Sequence, residues 1–160
     1  EFALVPFRLD ATLSEHGGVS RGIVEVDGTG RLRDIREALD IRLEGDAAYG
    51  RWAAADPDDG ERVEFDPAAP VSLNLWGFTS RMCALVEEGL ATFLAELPAR
   101  VPGQAAMDRE YYLTEVVQTT VAEAKVQVRV LDPATTHLGM THPEDRAPVV
   151  AALAARVHGS

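Results

Sequence analysis

Apolar residues follow two different rhythms along this chain. In the first half they fall in short runs or at alternate positions. Residues 2–9 read as a mostly apolar strand, with Pro6 at a bulge or on an unpaired edge because proline donates nothing to a ladder. Residues 10–18 are polar and read as loop. Ile23, Val24 and Val26 lead into Gly28, Thr29 and Gly30, and Leu32, Ile35, Leu39 and Ile41 follow, so two strands joined by a tight turn are predicted. Residues 45–70 are rich in Asp, Ala, Gly and Pro and read as a loop excursion with one strand-like piece at 62–65.

From residue 71 the rhythm changes. Residues 71–78 form a second apolar strand, and Thr79 or Ser80 stands at the N-cap of a helix. Met82, Leu85, Val86, Gly89, Leu90, Phe93, Leu94 and Leu97 recur at three and four residues, which puts one apolar stripe toward a core, and Pro98 is expected to stop the helix. Residues 111–124 repeat the helical pattern through Leu113, Val116, Val117, Thr120 and Val121. Residues 126–131 alternate as a strand. A short extended piece at 136–140 precedes a last helix over 143–158, with Thr141 as N-cap, Pro143 in the first turn and Glu144 three residues after the cap. Strands and helices alternate through this half, which predicts an α/β domain with a mixed sheet and flanking helices.

Composition narrows the setting. A length of 160 residues suits one domain, and no apolar run approaches the roughly 20 residues that span a bilayer. The single cysteine, Cys83, excludes an internal disulfide framework; it reads as a buried filler in a reducing, cytoplasmic setting. A net charge of −11, with Lys125 the only lysine, argues against nucleic acid as a partner, since that grip needs clustered cations.

Most catalytic signatures are missing. The chain has no C-x-x-C, H-E-x-x-H, G-x-S-x-G or phosphate-loop motif, and His16, His137, His142 and His158 lack close ligand spacing. His137 and His142 therefore read as ordinary loop histidines. One stretch is more specific: Ser14, Glu15, His16, Gly17, Gly18, Val19, Ser20, Arg21 and Gly22 place polar and flexible residues before a strand, a loop that suits a polyol. The competing reading is a turn with glycine at positive φ.

Taken in order, four segments resemble the sugar-phosphate nucleotidyltransferases. They are Thr12-Leu13-Ser14-Glu15-His16-Gly17 with Val19-Ser20-Arg21-Gly22, the run Val71-Ser72-Leu73-Asn74-Leu75-Trp76-Gly77-Phe78-Thr79, Glu110-Tyr111-Tyr112-Leu113, and Gly139-Met140-Thr141-His142-Pro143-Glu144-Asp145-Arg146. The resemblance spans nearly the whole chain. It implies a Rossmann-like nucleotidyltransferase fold and an enzyme that joins a nucleoside triphosphate to a sugar 1-phosphate, releasing pyrophosphate. Residues 1–160 would be its C-terminal, sugar-binding half. The family's N-terminal nucleotide-binding half, with its glycine-rich loop and first metal-binding Asp, has no counterpart here, so the chain alone is expected to be inactive.

The same resemblance implies substrate contacts at Ser20, Arg21, Gly22, Glu37 and Asn74, with Mg²⁺ in the complete enzyme. Gly22 would offer backbone to a sugar hydroxyl. Glu37 stands where the family's Glu-Lys-Pro motif places a carboxylate on ring hydroxyls, although Ala38 replaces the Lys. The run from His137 to His142 lacks the family's second metal-binding Asp, so the ligands of a metal stay unknown. The rival readings are a non-catalytic sugar or nucleotide-sugar binding module and an acidic protein-interaction domain. An exposed sheet edge is also expected to promote self-association.

Overall fold

The computed structural model of the chain describes residues 1–53, 61–134, 137–140 and 142–158 except 101–109, with the backbone alone at 98–100 and 158. Nine strands and three helices follow in order: β1 (Phe2–Leu4), β2 (Phe7–Arg8), β3 (Val19–Val26), β4 (Leu32–Glu44), β5 (Ala47–Trp52), β6 (Arg62–Phe65), β7 (Pro70–Ser72), β8 (Trp76–Gly77), α1 (Arg81–Arg100), α2 (Leu113–Ala122), β9 (Val128–Val130) and α3 (Arg146–His158). Six strands form an antiparallel sheet in the order β2-β7-β3-β4-β5-β6. The other three form a sheet β8-β1-β9, in which β1 is antiparallel to β8 and parallel to β9. The fold is thus mixed α/β.

Two segments that read as single strands each divide between the sheets. Residues 2–9 split at Pro6, whose carbonyl accepts the Ala134 N–H at 2.9 Å; β1 goes to the small sheet and β2 to the large one. Residues 71–78 split at Asn74, which turns the chain at φ 59° and sends β8 to the small sheet. Both corners sit inside apolar runs because the residues on either side are needed in cores, so hydropathy alone does not register the break. The predicted hairpin does form, with β3 and β4 paired antiparallel across two register shifts and Gly30 at φ 80° in its turn.

The span 45–70 is more regular than a loop excursion. β5 and β6 continue the antiparallel meander from β4, and Ala48 and Phe65 bury in its core. Residues 54–60 lie outside the described residues.

Two apolar cores result. The first joins Phe2 and Leu4 of β1 to Val24, Ile35, Met82, Leu85, Val117 and Val128, beneath α1 and α2. The second gathers Phe7, Leu9, Val19, Ala38, Ile41, Ala48, Phe65 and Val71 on the other side of the large sheet. β4 serves both: Ile35 faces α2, and a register shift around Asp40, at φ 52°, re-aims the strand so that Ala38 and Ile41 share the second core.

The helices correct four sequence expectations. Cys83 is exposed, because α1 turns Met82 and Leu85 inward and Cys83 falls off that stripe. The stripe itself is covered only in part: Leu90 and Leu94 are 39% and 55% exposed. Pro98 lies within α1, which runs on to Arg100; a proline removes one helical hydrogen bond without having to end the helix there. Before α3 the chain makes a 3-10 turn at Pro143–Asp145, and this shifts the cap by one residue. His142 occupies the N-cap and its N–H donates to Asp145 Oδ2 at 2.8 Å, so Asp145 takes the place foreseen for Glu144. Thr141 and the start of the extended piece foreseen at 136–140 lie outside the described residues; 137–140 have no regular structure. No described helix is long and apolar enough to cross a membrane.

Candidate functional site

Two of the residues singled out by sequence, Gly22 and Glu37, meet on one rung of the large sheet. Gly22 on β3 lies opposite Glu37 on β4 and opposite Ser72 on β7. Residues directly opposite across a ladder share a face, so Glu37, Gly22 and Ser72 line up on the side that carries α2. Gly22 in the middle leaves a gap, and α2 closes over it: a Cβ at Gly22 would lie 2.9 Å from Thr114 Cγ2 and 3.3 Å from Ile35 Cδ1. The glycine is there because the first turn of α2 comes that near.

Thr114 reaches down to this rung and its hydroxyl donates to Glu37 Oε2 at 3.3 Å. Glu37 is half-buried, and burial raises its carboxyl above the ordinary value of 4.5. The Thr114 hydrogen bond and the Arg21 charge act the other way, while Glu110 and Glu115 add to the rise. Tyr112, at the N-cap of α2, is pushed up to about 12 by burial first and then by its hydrogen bond to Glu110, so its phenol keeps its proton near neutrality.

Glu37 and Thr114 open into a cleft of about 560 Å³ between β4, α1 and α2, with Tyr111, Phe93 and Gln118 among its walls. Tyr111 stacks on Phe93 with ring centroids 5.0 Å apart, and the Gln118 carboxamide oxygen accepts the Ile35 N–H at 3.0 Å. Such a volume suits a small molecule. A half-buried carboxylate, a threonine hydroxyl and an aromatic wall can together hold vicinal hydroxyls, each bond strengthened by the charge on Glu37.

The remaining sequence candidates are placed differently. Asn74 is exposed and tied to the rung only through its N–H, which donates to Ser72 Oγ at 3.1 Å; its side-chain oxygen accepts from Trp76 Nε1 at 3.4 Å. Ser20 is exposed. Arg21 pairs with Ala38 and therefore points to the opposite face of the sheet from Glu37. Thr114 was not singled out, because nothing in the spacing of α2 distinguishes a threonine above a cleft from one in a core; Tyr112 belongs to the Glu110-Tyr111-Tyr112-Leu113 run of the resemblance.

The glycines of the loop before β3 do not act through positive φ; Gly30 and Gly45 are the described glycines with that backbone. Gly17 and Gly18 serve close packing instead. A Cβ at Gly17 would meet the His142 ring at 2.7 Å, and one at Gly18 would meet Asp40 Cα at 2.9 Å. His142 Nε2 donates to the Gly18 carbonyl at 3.3 Å, while His137 lies edge-on to Phe7 at 5.6 Å, so both histidines are engaged in packing.

Among the described residues no three His, Cys, Asp or Glu side chains converge where they could hold a metal. The Mg²⁺ implied by the resemblance therefore finds no ligand set among the described residues. Neither a protein-family model nor a curated protein sequence matches this chain.

Proposed function

We propose that this chain is the sugar-binding side of a Rossmann-like nucleotidyltransferase, which transfers a nucleotidyl group from a nucleoside triphosphate to a sugar 1-phosphate with release of pyrophosphate. The observation that carries the reading is Glu37, a half-buried carboxylate beside the side-chain-free Gly22, held by Thr114 at the mouth of a cleft of small-molecule size. The parallel pairing of β1 with β9 around α1 and α2 is compatible with it, as is β8, which among the described strands pairs with β1 alone and leaves its other edge open for a further strand. Glu37 accepts hydrogen bonds from two ring hydroxyls and Thr114 orients it. Nucleotide binding and the displacement at the α-phosphate belong to residues outside this chain, so residues 1–160 alone release no pyrophosphate.

The test is pyrophosphate release by the full product of the gene, with nucleoside triphosphates and a panel of sugar 1-phosphates, for the native protein and for Glu37→Gln. The variant should raise KM for the sugar phosphate about 10- to 100-fold, the worth of a hydrogen bond to a charged group, and leave KM for the triphosphate unchanged. Saturable binding of a nucleotide sugar without pyrophosphate release would point to the binding module instead. No response to any sugar phosphate would overturn both.

Glu37→Gln should also change stability in a pH-dependent way. Because burial raises the folded-state pKa of Glu37, the stability linked to this group is complete below the ordinary value of 4.5 and is lost as pH rises through the folded value. The Gln variant avoids that loss. It is expected to melt at a higher temperature than the native chain at pH 7, with the gap closing toward pH 4. Thermal melts at the two pH values check this, and a destabilised variant at pH 7 would contradict it.

A further inference from the structure

Arg21 is the one charged residue in the buried set of the described residues, with 8% exposure. Its three nitrogens donate to neutral acceptors: Nε to Thr12 Oγ1 at 3.0 Å, Nη1 to the Ser20 carbonyl at 2.7 Å, and Nη2 to the Thr12 carbonyl. No salt bridge to it is formed among the described residues. A guanidinium has five N–H donors, so one N–H on each Nη is left over. Buried charges are ordinarily paired, because taking a charge out of water without a counter-charge is expensive.

The guanidinium borders a cleft of about 380 Å³ on the side of the sheet away from Glu37, lined also by Ser14, His137, Gly139, Asp145 and Ala152. Asp145 accepts from Ser14 Oγ at 2.8 Å and from the His142 N–H at 2.8 Å, and Glu15 is exposed at the rim. His137 is half-buried beside Arg21, where burial first and the Arg21 charge second hold its imidazole below the ordinary value; it is a neutral ring at pH 7.

We infer that this second cleft is an anion site, in which the free edge of the Arg21 guanidinium receives the oxygens of a phosphate or carboxylate group of a small metabolite and the His137 ring donates alongside. The planar fork of arginine matches two oxygens of such a group. The site lies on the opposite face of the sheet from the Glu37 cleft, although the Arg21 and Glu37 charges act on each other through the sheet.

The test is an NMR titration of the 160-residue chain with inorganic phosphate, and separately with acetate, against sodium chloride at matched ionic strength. Saturable shifts confined to residues around Arg21, His137 and Gly139 are expected, and the stronger of the two anions identifies the group. His137→Gln should weaken binding about tenfold, and Arg21→Lys should do the same where it folds. Ala152→Glu is the variant that does not depend on Arg21 folding behaviour: it carries a carboxylate into the cleft and should abolish the response to added anion. Glu37→Gln removes a negative charge that acts on Arg21, so the response to added anion should be at least as strong in that variant. Shifts that match those of chloride, or anion binding that survives Ala152→Glu, would overturn the inference.

Discussion

Replacing Gly22 with alanine is expected to destabilise the chain by about 1–3 kcal/mol, the usual cost of forcing one extra methyl into a packed site. The new Cβ would lie 2.9 Å from Thr114 Cγ2 and 3.3 Å from Ile35 Cδ1. Neither neighbour can yield easily: Ile35 is 2% exposed in the first core and Thr114 is buried in the first turn of α2. The strain should therefore lift α2 from the sheet and draw the Thr114 hydroxyl away from Glu37. Thr114→Ser removes the colliding Cγ2 and keeps the hydroxyl, so the double variant should recover most of the loss. Urea denaturation of the four proteins of this cycle measures the coupling. Additive losses would show that the approach of α2 to Gly22 is not what requires the glycine.

Leu4→Ala is expected to cost about 2–5 kcal/mol, because it removes buried methyl groups from a site with little room to collapse. Leu4 is fully buried in the central strand of the small sheet, between Trp76 on β8 and Val130 on β9, and its carbonyl accepts the Leu131 N–H at 2.9 Å. Both the small sheet and the first core depend on it. Leu94→Ala provides the contrast, since Leu94 is half in solvent on the outer part of α1 and should shift stability by no more than about 0.5 kcal/mol. If Leu4→Ala cost as little as Leu94→Ala in urea denaturation, the small sheet would not be docked on α1 and α2 as described.

The helices were the most legible part of the sequence. α2 runs over Leu113–Ala122 inside the predicted 111–124, and Val116 and Val117 are buried as their spacing implies. A 3.6-residue period survives any tertiary arrangement that buries one side of a helix. The β3–β4 hairpin was legible for a similar local reason, since its turn needs Gly30 at positive φ. The corners at Pro6 and Asn74 were not. Each interrupts an apolar run whose two halves face different cores, and hydropathy reports burial without reporting in which core. β6 was foreseen as the strand-like piece at 62–65, whereas β5 was hidden because Ala47, Ala48 and Gly50 are small and add little to the hydropathy pattern.

The candidate site shows the same division. Gly22 and Glu37 could be named from sequence because a motif resemblance marks single positions. That they oppose each other on one rung is a matter of register, and that Thr114 hangs above them depends on how α2 docks. Arg21 illustrates the limit most clearly: adjacent to Gly22 in sequence, it points to the other face, since successive side chains of a strand alternate.

By itself, the sequence determined the α/β class, the positions of the helices and one hairpin, all of which depend on local period or local turn chemistry. Tertiary structure alone decided that the strands separate into two sheets, that Glu37 and Arg21 line different clefts, and that Cys83 faces solvent. Those outcomes depend on which distant segments come to lie against each other, and a strand or helix carries the same period whichever partner it meets.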